Sequence, residues 1–343
     1  MPKPTHNPPN RFASTEIEWD GEAPAAELRP IEEQAKSILS SNDSPDVGFR
    51  WSINPYRGCY HGCAYCYARP SHQYLGYGAG TDFDRKIVVK VNAVELLREA
   101  FAKKSWAGEM IALSGNTDCY QPLEARYQLT RGILETCLEH RNPVGVITKG
   151  AVIRRDVELL AALAREARCR VTMSIAFADD ADSRAIEPWA SPPSRRFETM
   201  RMLADAGVPV GVSLAPLIPG LNDHQIPEIL ERARDAGASH AFTVLLRLPD
   251  EVLPVFDERL AQAFPNRHAK VMNAVREMRG GKMYESAWGQ RQVGRGQRWS
   301  VLEQLFVKQV KRLGMNELSM GGDEPEATTF RRPEPPKKQL ALF

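Results

Sequence analysis

Between residues 49 and 264, short apolar or β-branched runs alternate with longer amphipathic ones. The runs at 49–53, 110–113, 144–148, 170–175, 208–214 and 241–246 have the length and composition of strands. Apolar residues at helical spacing follow at 93–103, 126–140, 156–167, 194–206, 224–236 and 251–264, as Leu159, Leu160 and Leu163 illustrate. A short extended piece at 87–91 precedes the first of these helices. Alternation of this kind builds parallel βαβ units, so the chain predicts an α/β fold of six such units.

The flanks break this rhythm. Residues 1–46 are rich in Pro, Asn, Ser and charge and predict a flexible arm. Within it, Ile31, Ala35, Ile38 and Leu39 share one face of a predicted short helix over 31–39, and Arg11 and Phe12 are candidate partner contacts. The core is expected to span 47–266, with a C-terminal extension over 267–320 holding helices at 267–278 and 301–313. Between those helices, Trp288 to Trp299 carries Arg291, Arg295 and Arg298 among glycines, without an acid. Arginine interleaved with aromatics suits phosphate and unstacked bases, and a glycine-rich cover for the core is the alternative. Residues 321–343 read as a disordered tail.

A net charge of +2 makes no strong statement about partners. No apolar run approaches the roughly 20 residues that span a bilayer, so no membrane segment is expected. Six cysteines without a secretory segment point to a reducing, cytoplasmic setting.

Three of those cysteines are grouped. Cys59, Cys63 and Cys66 stand at C-x3-C-x2-C behind the turn Pro55-Tyr56-Arg57-Gly58. Thiolates this close on one loop can converge on a metal centre, and three of them leave a metal position open for a chelating ligand. A zinc site completed by His61 is the rival reading. Cys137 and Cys169 read as small buried hydrophobes.

In barrels built from βα units, chemistry collects on the loops after the strands. The second strand runs into Ser114-Gly115-Asn116-Thr117-Asp118, whose small polar side chains offer acceptors for an ammonium, unless this is an ordinary strand-to-helix turn. Lys149 ends the third strand and can pair with a carboxylate, and Ser174 ends the fourth. Arg195 and Arg196 are candidate anion contacts, while Asn222 or Asp223 is expected to cap the following helix.

The cysteine loop, with Tyr65 before the third cysteine, resembles the C-x3-C-x-aromatic-C signature of the radical S-adenosylmethionine (SAM) superfamily. The resemblance implies a partial (β/α)6 barrel, matching the six units read above. It also implies that Cys59, Cys63 and Cys66 hold three irons of a [4Fe-4S] cluster while SAM chelates the fourth through its amino and carboxylate groups. Tyr65 would lie against the adenine; Ser114, Asn116 and Asp118 would face the SAM amino group; Lys149 and Ser174 would complete the cofactor site. An electron from an external donor would then split SAM into methionine and a 5'-deoxyadenosyl radical.

Three further stretches, TKGAVIRRDVELL, IEPWASPPSRRFETMRMLADAG and APLIPGLND, resemble the branch of spore photoproduct lyases and DNA-photolyase-like enzymes. In that branch tyrosines such as Tyr65 and Tyr67 help pass a radical between substrate and cofactor. Those lyases carry a hydrogen-donating cysteine where this chain has Gly115 or Asn116, leaving Cys119 as the nearby candidate donor or as a structural thiol. The last five residues, Gln339 to Phe343 (Q-L-x-L-F), resemble the peptide that docks bacterial polymerases and repair proteins on the β sliding clamp. The expectation is a radical SAM enzyme acting on a DNA lesion or modified base and recruited by the clamp. The alternatives are radical modification of RNA or a small molecule, and a clamp-associated metal protein without turnover.

Overall fold

A computed structural model describes residues 5–12, 27–317 and 328–333. Two strands, β1 (Arg29–Glu33) and β2 (Leu39–Ser41), precede the first βα unit, which opens with β3 (Trp51–Ile53). Beside it β4 (Tyr56–Arg57) and β5 (Lys86–Lys90) join β1 in a small second sheet. The remaining units start with β6 (Ile111–Leu113), β7 (Val144–Thr148), β8 (Cys169–Ser174), β9 (Val210–Leu217) and β10 (His240–Leu245), and β11 (Asn316–Glu317) adds a late edge. The main sheet has the order β11-β10-β9-β8-β7-β6-β3-β2. It is parallel from β3 to β11, while β2 runs antiparallel on the edge. Six of the seven parallel strands are those read from the sequence.

Helices cover the outer face. In chain order they are α1 (Thr81–Arg85), α2 (Ala93–Ala102), α3 (Glu124–Tyr127), α4 (Leu129–Glu139), α5 (Val157–Glu166) and α6 (Asp180–Ile186). Then come α7 (Pro193–Asp205), α8 (Ile226–Asp235), α9 (Val252–Ala263), α10 (Pro265–Met278) and α11 (Gly296–Arg312). Leu97, Ile133, Leu160, Leu203 and Ile229 of five of these helices share one fully buried core with the strand residues Ile111, Val146 and Val171. The strand registers keep the carboxyl ends level, with Ile53 opposite Leu113 and Ser174 opposite Ser213. Level ends gather the following loops on one rim. A second apolar cluster, containing Cys63, Tyr65, Phe177, Leu246 and Phe256, lies beneath that rim.

Three expectations are corrected. Residues 31–39 form no helix: Ile31 pairs with Val88 in β1 and Leu39 with Ile53 in β2. A helix this short gains little from propensity, and the edge of β5 supplies a full ladder of backbone bonds instead. The single helix at 126–140 is broken at Gln128, whose φ is 54°. Its break has a cause in Glu124, which accepts the Thr130 and Arg131 N–H groups at 3.0 and 3.2 Å and so caps α4 from the preceding turn. Finally, part of the expected free tail is fastened. Thr329 donates to Arg141 and Ala167 carbonyls at 2.8 and 3.1 Å, and the Phe330 ring meets Phe101 at 5.3 Å. These contacts sit at the amino ends of the strands, beside a cavity of about 670 Å³ lined by Met110, Val144, Cys169 and Thr328.

The N-terminal stretch 5–12 is held at the opposite rim. Asn7 Oδ1 accepts the Gly80 and Asp82 N–H groups at 3.1 Å, and Arg11 reaches Asp250 beyond β10 at 3.3 Å. Among the described residues, no helix is long and apolar enough to cross a membrane.

Candidate active site

The loop after β3 and β4 folds through two consecutive turns, with Gly62 N–H donating to the Cys59 carbonyl and Cys66 N–H to the Cys63 carbonyl, both at 3.2 Å. Gly62 takes a φ of 65°, and a Cβ there would stand 3.1 Å from the Trp189 ring. Only glycine meets both conditions cheaply. Cys59 and Cys63 are each 7% exposed, Cys66 is half-buried, and all three are free thiols. Burial raises the Cys59 thiol, and Asp118, Cys63 and Cys66 push it further. Burial likewise raises Cys63, with Lys149 pulling back down. Three sulfurs grouped on one loop offer the ligand set of a cluster, which would displace their protons on binding.

One side chain locks the loop. Arg69 is fully buried, and its five N–H groups all find acceptors. Nε and one Nη donate to the Cys63 carbonyl at 3.0 and 2.9 Å, while the others reach Ala79 at 2.8 Å, Gly80 at 2.9 Å and Asp84 Oδ1 at 2.9 Å. A guanidinium offers five donors, so none is left over. Gln121 holds the other side, accepting the Tyr60 N–H at 2.9 Å.

His61 Nδ1 lies 3.3 Å from Asp118 Oδ2. Among the described residues, no three His, Cys, Asp or Glu side chains converge on a single-ion site. A cluster asks for something different, one sulfur on each of three irons, and the loop's all-thiol donor set fits it.

Asp118 is a knot and not an open acceptor. Its Oδ1 accepts from the Thr148 hydroxyl at 2.6 Å and the Tyr120 N–H at 2.9 Å; its Oδ2 accepts from the Lys149 N–H at 2.7 Å and faces His61. A carboxylate has about four lone-pair sites, and all are used. Burial alone would raise this carboxyl, but His61 and the hydrogen bonds from Lys149 and Thr148 hold it below the usual range. The expected role toward an ammonium is therefore corrected: Asp118 ties the first, second and third loops together.

The other expected residues share the rim. Ser114 sits at a φ of 78° and its hydroxyl oxygen accepts the Cys119 N–H at 2.9 Å. Exposed Asn116 donates its N–H to Asn54 Oδ1 at 2.7 Å. Lys149 stands over the Tyr65 ring, with Nζ 5.6 Å from the centroid. The Tyr65 hydroxyl donates to Glu187 Oε1, and Glu187 Oε2 pairs with buried Arg196. Ser174 is buried and donates to the Ala215 carbonyl at 3.4 Å. Tyr67 is 47% exposed, donates to the Gly115 carbonyl and carries the Arg247 guanidinium 5.4 Å from its ring.

Cys119 is different. It is fully buried among Ile53, Tyr120 and Ile133, with its thiol raised by burial and by Asp118. A hydrogen donor has to face its substrate, so this placement makes Cys119 a core thiol. Arg196 is no anion contact either: it donates to the Ser191 and Ser174 carbonyls at 2.6 and 2.9 Å inside the protein. Arg195 pairs with Glu198 at 3.3 Å on the surface. Asn222 holds its own loop, accepting the Ile218 N–H at 2.6 Å and donating to Ala176 at 2.7 Å, in place of capping a helix. Of the arginine-rich run, Arg291 pairs with Asp46, Arg295 with Glu285 and Arg298 with Glu277. Arg69 and Arg247 escape the sequence reading, which places Glu187 beside the loop after the fourth strand without a role; only the adjacency of Arg69 to the cysteines and of Arg247 to the sixth strand marks the other two.

A protein-family comparison matches residues 53–233 to the Radical SAM superfamily. An uncharacterized protein of Mycobacterium tuberculosis is 37% identical over 219 residues, which cover 63% of this chain and 64% of that one. The match thus spans under two thirds of that relative's length. A radical SAM Nα-GlyT isomerase of Pseudomonas phage M6 is 26% identical over 63% of this chain and 43% of its own. Among solved structures, spore photoproduct lyase complexed with dinucleoside spore photoproduct superimposes with a TM-score of 0.61, at 17% identity, over 84% of this chain and 81% of its own. A substituted form of that lyase with bound AdoMet and dinucleoside spore photoproduct gives a TM-score of 0.60 at 17% identity, over 84% of this chain and 80% of its own. At that identity the likeness speaks for the fold. With the family match covering more than half of the residues, the chain belongs to the radical SAM superfamily.

Proposed function

We propose that this radical SAM protein is an enzyme acting on nucleic acid, with a DNA lesion or modified base as substrate. The observation that carries the reading is Tyr67, exposed next to Cys66 and set between the Gly115 carbonyl and the Arg247 guanidinium. When bound, the cluster supplies the electron for reductive cleavage of SAM. Cys59, Cys63 and Cys66 would hold three of its irons, and Tyr65, Ser114, Asn116, Lys149 and Ser174 would border the SAM. Glu187 fixes the Tyr65 ring through its hydroxyl, and Asp118 fixes the loops that present Ser114 and Lys149.

The rim favours a partner with stackable bases and phosphates. Among the described residues, the exposed large aromatics are Phe12, Tyr67, Tyr74 and Trp288. Phe12 and Tyr74 stand ring to ring at 4.9 Å, with Arg11 over Phe12 at 5.5 Å. Aromatic faces with arginine bind unpaired bases at about 1–3 kcal/mol per stacked base. The spore photoproduct lyase of similar fold is complexed with a dinucleoside photoproduct, which agrees with such a substrate. The clamp-like peptide Gln339 to Phe343 lies outside the described residues, and recruitment by the β sliding clamp remains part of this proposal.

The test is anaerobic reconstitution with iron and sulfide, then reduction in the presence of SAM and ultraviolet-damaged oligonucleotides. Release of 5'-deoxyadenosine with conversion of the photoproduct, followed by chromatography of the digested oligonucleotide, is expected, and neither is expected from Cys63→Ala. Absence of iron uptake in the wild type would overturn the enzyme reading. SAM cleavage without change in any DNA substrate would move the reading to RNA or a small molecule. Direct titration of the 339–343 peptide with purified clamp decides recruitment: micromolar-range binding supports it and no binding rejects it.

A further inference from the structure

The outer side of the cysteine loop carries a patch that the substrate rim does not use. The Arg85 guanidinium lies beside the ring pair of Tyr60 and Trp189, at 4.9 and 4.8 Å from their centroids. The two rings are themselves 5.8 Å apart. All three side chains are half-buried. Among the described residues Arg85 has no carboxylate within ion-pair distance; its charge faces the two rings and solvent and acts at longer range on buried Asp84, which Arg69 already pairs. The patch is part of the loop: Tyr60 follows Cys59 directly, and the Trp189 N–H donates to the His61 carbonyl at 3.1 Å. Pro188 and Trp189 also close over Gly62.

From this geometry we infer that Tyr60, Arg85 and Trp189 form the docking surface for an acidic one-electron donor protein. The inference rests on the proposal that the loop holds a reducible cluster. An electron donor needs a short approach to sulfurs that the fold keeps 7% exposed, and this patch stands one residue away from the first of them. Redox encounters use small interfaces. Arginine and aromatic residues are favoured at interface cores, and a half-buried cation with no direct ion pair steers a negatively charged partner. Nucleic acid has its own aromatic and cationic rim around Tyr67 and Arg247. In the step itself the donor's flavin hydroquinone would give up one electron and release one proton to solvent to become the semiquinone, and the cluster held by Cys59, Cys63 and Cys66 would take up the electron.

The full chain is titrated with a bacterial flavodoxin, first as the cluster-free protein and then reconstituted. Arg85→Glu is expected to weaken binding at low salt by at least about tenfold, with Arg85→Lys within about threefold of wild type. Wild-type binding is expected to weaken as salt rises. With reconstituted protein, hydroquinone-driven reduction slows by a similar factor in Arg85→Glu while reduction by dithionite keeps its rate. Should Arg85→Glu fail to fold by circular dichroism, Arg85→Gln serves in its place with the same expectation in direction. Unchanged flavodoxin affinity in the charge variant overturns the proposal. So does a single-stranded oligonucleotide that displaces flavodoxin and loses its own affinity in Arg85→Glu, which assigns the patch to nucleic acid. If dithionite reduces no form, wild type included, the cluster reading has failed, and the titration still decides the docking surface.

Discussion

Replacing Arg69 by methionine tests whether a buried guanidinium fixes the geometry of the cysteine loop. The substitution keeps an unbranched side chain of similar length and removes five hydrogen bonds, two of them to the Cys63 carbonyl and one to Asp84. Breaking a buried ion pair by deleting one partner costs about 3–5 kcal/mol, because the other charge stays behind. Asp84 limits that cost: burial already raises its carboxyl, with Arg69 and Arg85 opposing, so without Arg69 it can take up a proton. A net loss of about 4 kcal/mol at 2–4 °C per kcal/mol corresponds to a melting temperature lower by roughly 10 °C. Two measurements check this, thermal unfolding of the cluster-free protein and iron bound per chain after anaerobic reconstitution. Both fall in Arg69→Met. Arg69→Lys, with three donors in place of five, is expected to lie between. An Arg69→Met protein that melts like the wild type and loads iron fully would refute the claim that this side chain organises the loop.

His72 gives a pH dependence. Burial lowers its imidazole from 6.5 to about 4, so between these values the unfolded chain binds the proton and the folded one resists it. Stability is therefore lost as pH falls through that window, by about 2 kcal/mol between pH 7 and pH 5, and denaturant titrations of His72→Gln are expected to lack that loss. Asp118 has the opposite environment: its carboxyl is held low, so its contribution is complete at neutral pH and disappears only under stronger acid. Tyr67→Phe removes the hydroxyl bonded to Gly115; 5'-deoxyadenosine release without substrate is expected to stay within about twofold while product formation falls about tenfold or more, typical of lost proton or hydrogen transfer. Cys119→Ala is expected to leave product unchanged and to lower stability by about 1 kcal/mol for the lost buried surface; loss of product with wild-type stability would restore the donor role.

The fold was legible because its periodicities are strong and local. Strands such as Val144–Thr148 and helices such as Val157–Glu166 bury one apolar face each, and alternation alone then dictates a parallel sheet. The misread stretches fail where a partner that the apolar period does not register outbids local preference. Ile31 has the spacing of a helix but finds its backbone partner in Val88, far along the chain. The helix at 126–140 has the right period throughout, yet the Glu124 carboxylate reaches forward to the Thr130 and Arg131 N–H groups and starts a new helix. Val88 lies far outside a window of a dozen residues, and Glu124, though inside one, acts through a carboxylate that the apolar period does not register.

At the site, the cysteines were legible because ligand spacing is a short-range property. The polar residues around them were not, because a sequence shows which acceptors exist and not which are already taken. Asp118 has the chemistry to greet an ammonium, but four donors from three loops reach it first. Ser114 has one of its two lone pairs taken by the Cys119 N–H, which leaves its hydroxyl proton and one lone pair for a ligand. Also left for a ligand is the set the fold does not saturate: the Lys149 ammonium over Tyr65, the Tyr67 ring, and the Arg247 guanidinium, whose neighbours are the Tyr67 face and the Tyr284 hydroxyl at 3.4 Å. Two cations and two aromatic rings around a thiol loop suit the anionic, stackable substrate proposed above. Substitutions of Lys149 or Arg247 should therefore change ligand affinity far more than stability, whereas substitutions of Asp118 or Arg69 should do the reverse.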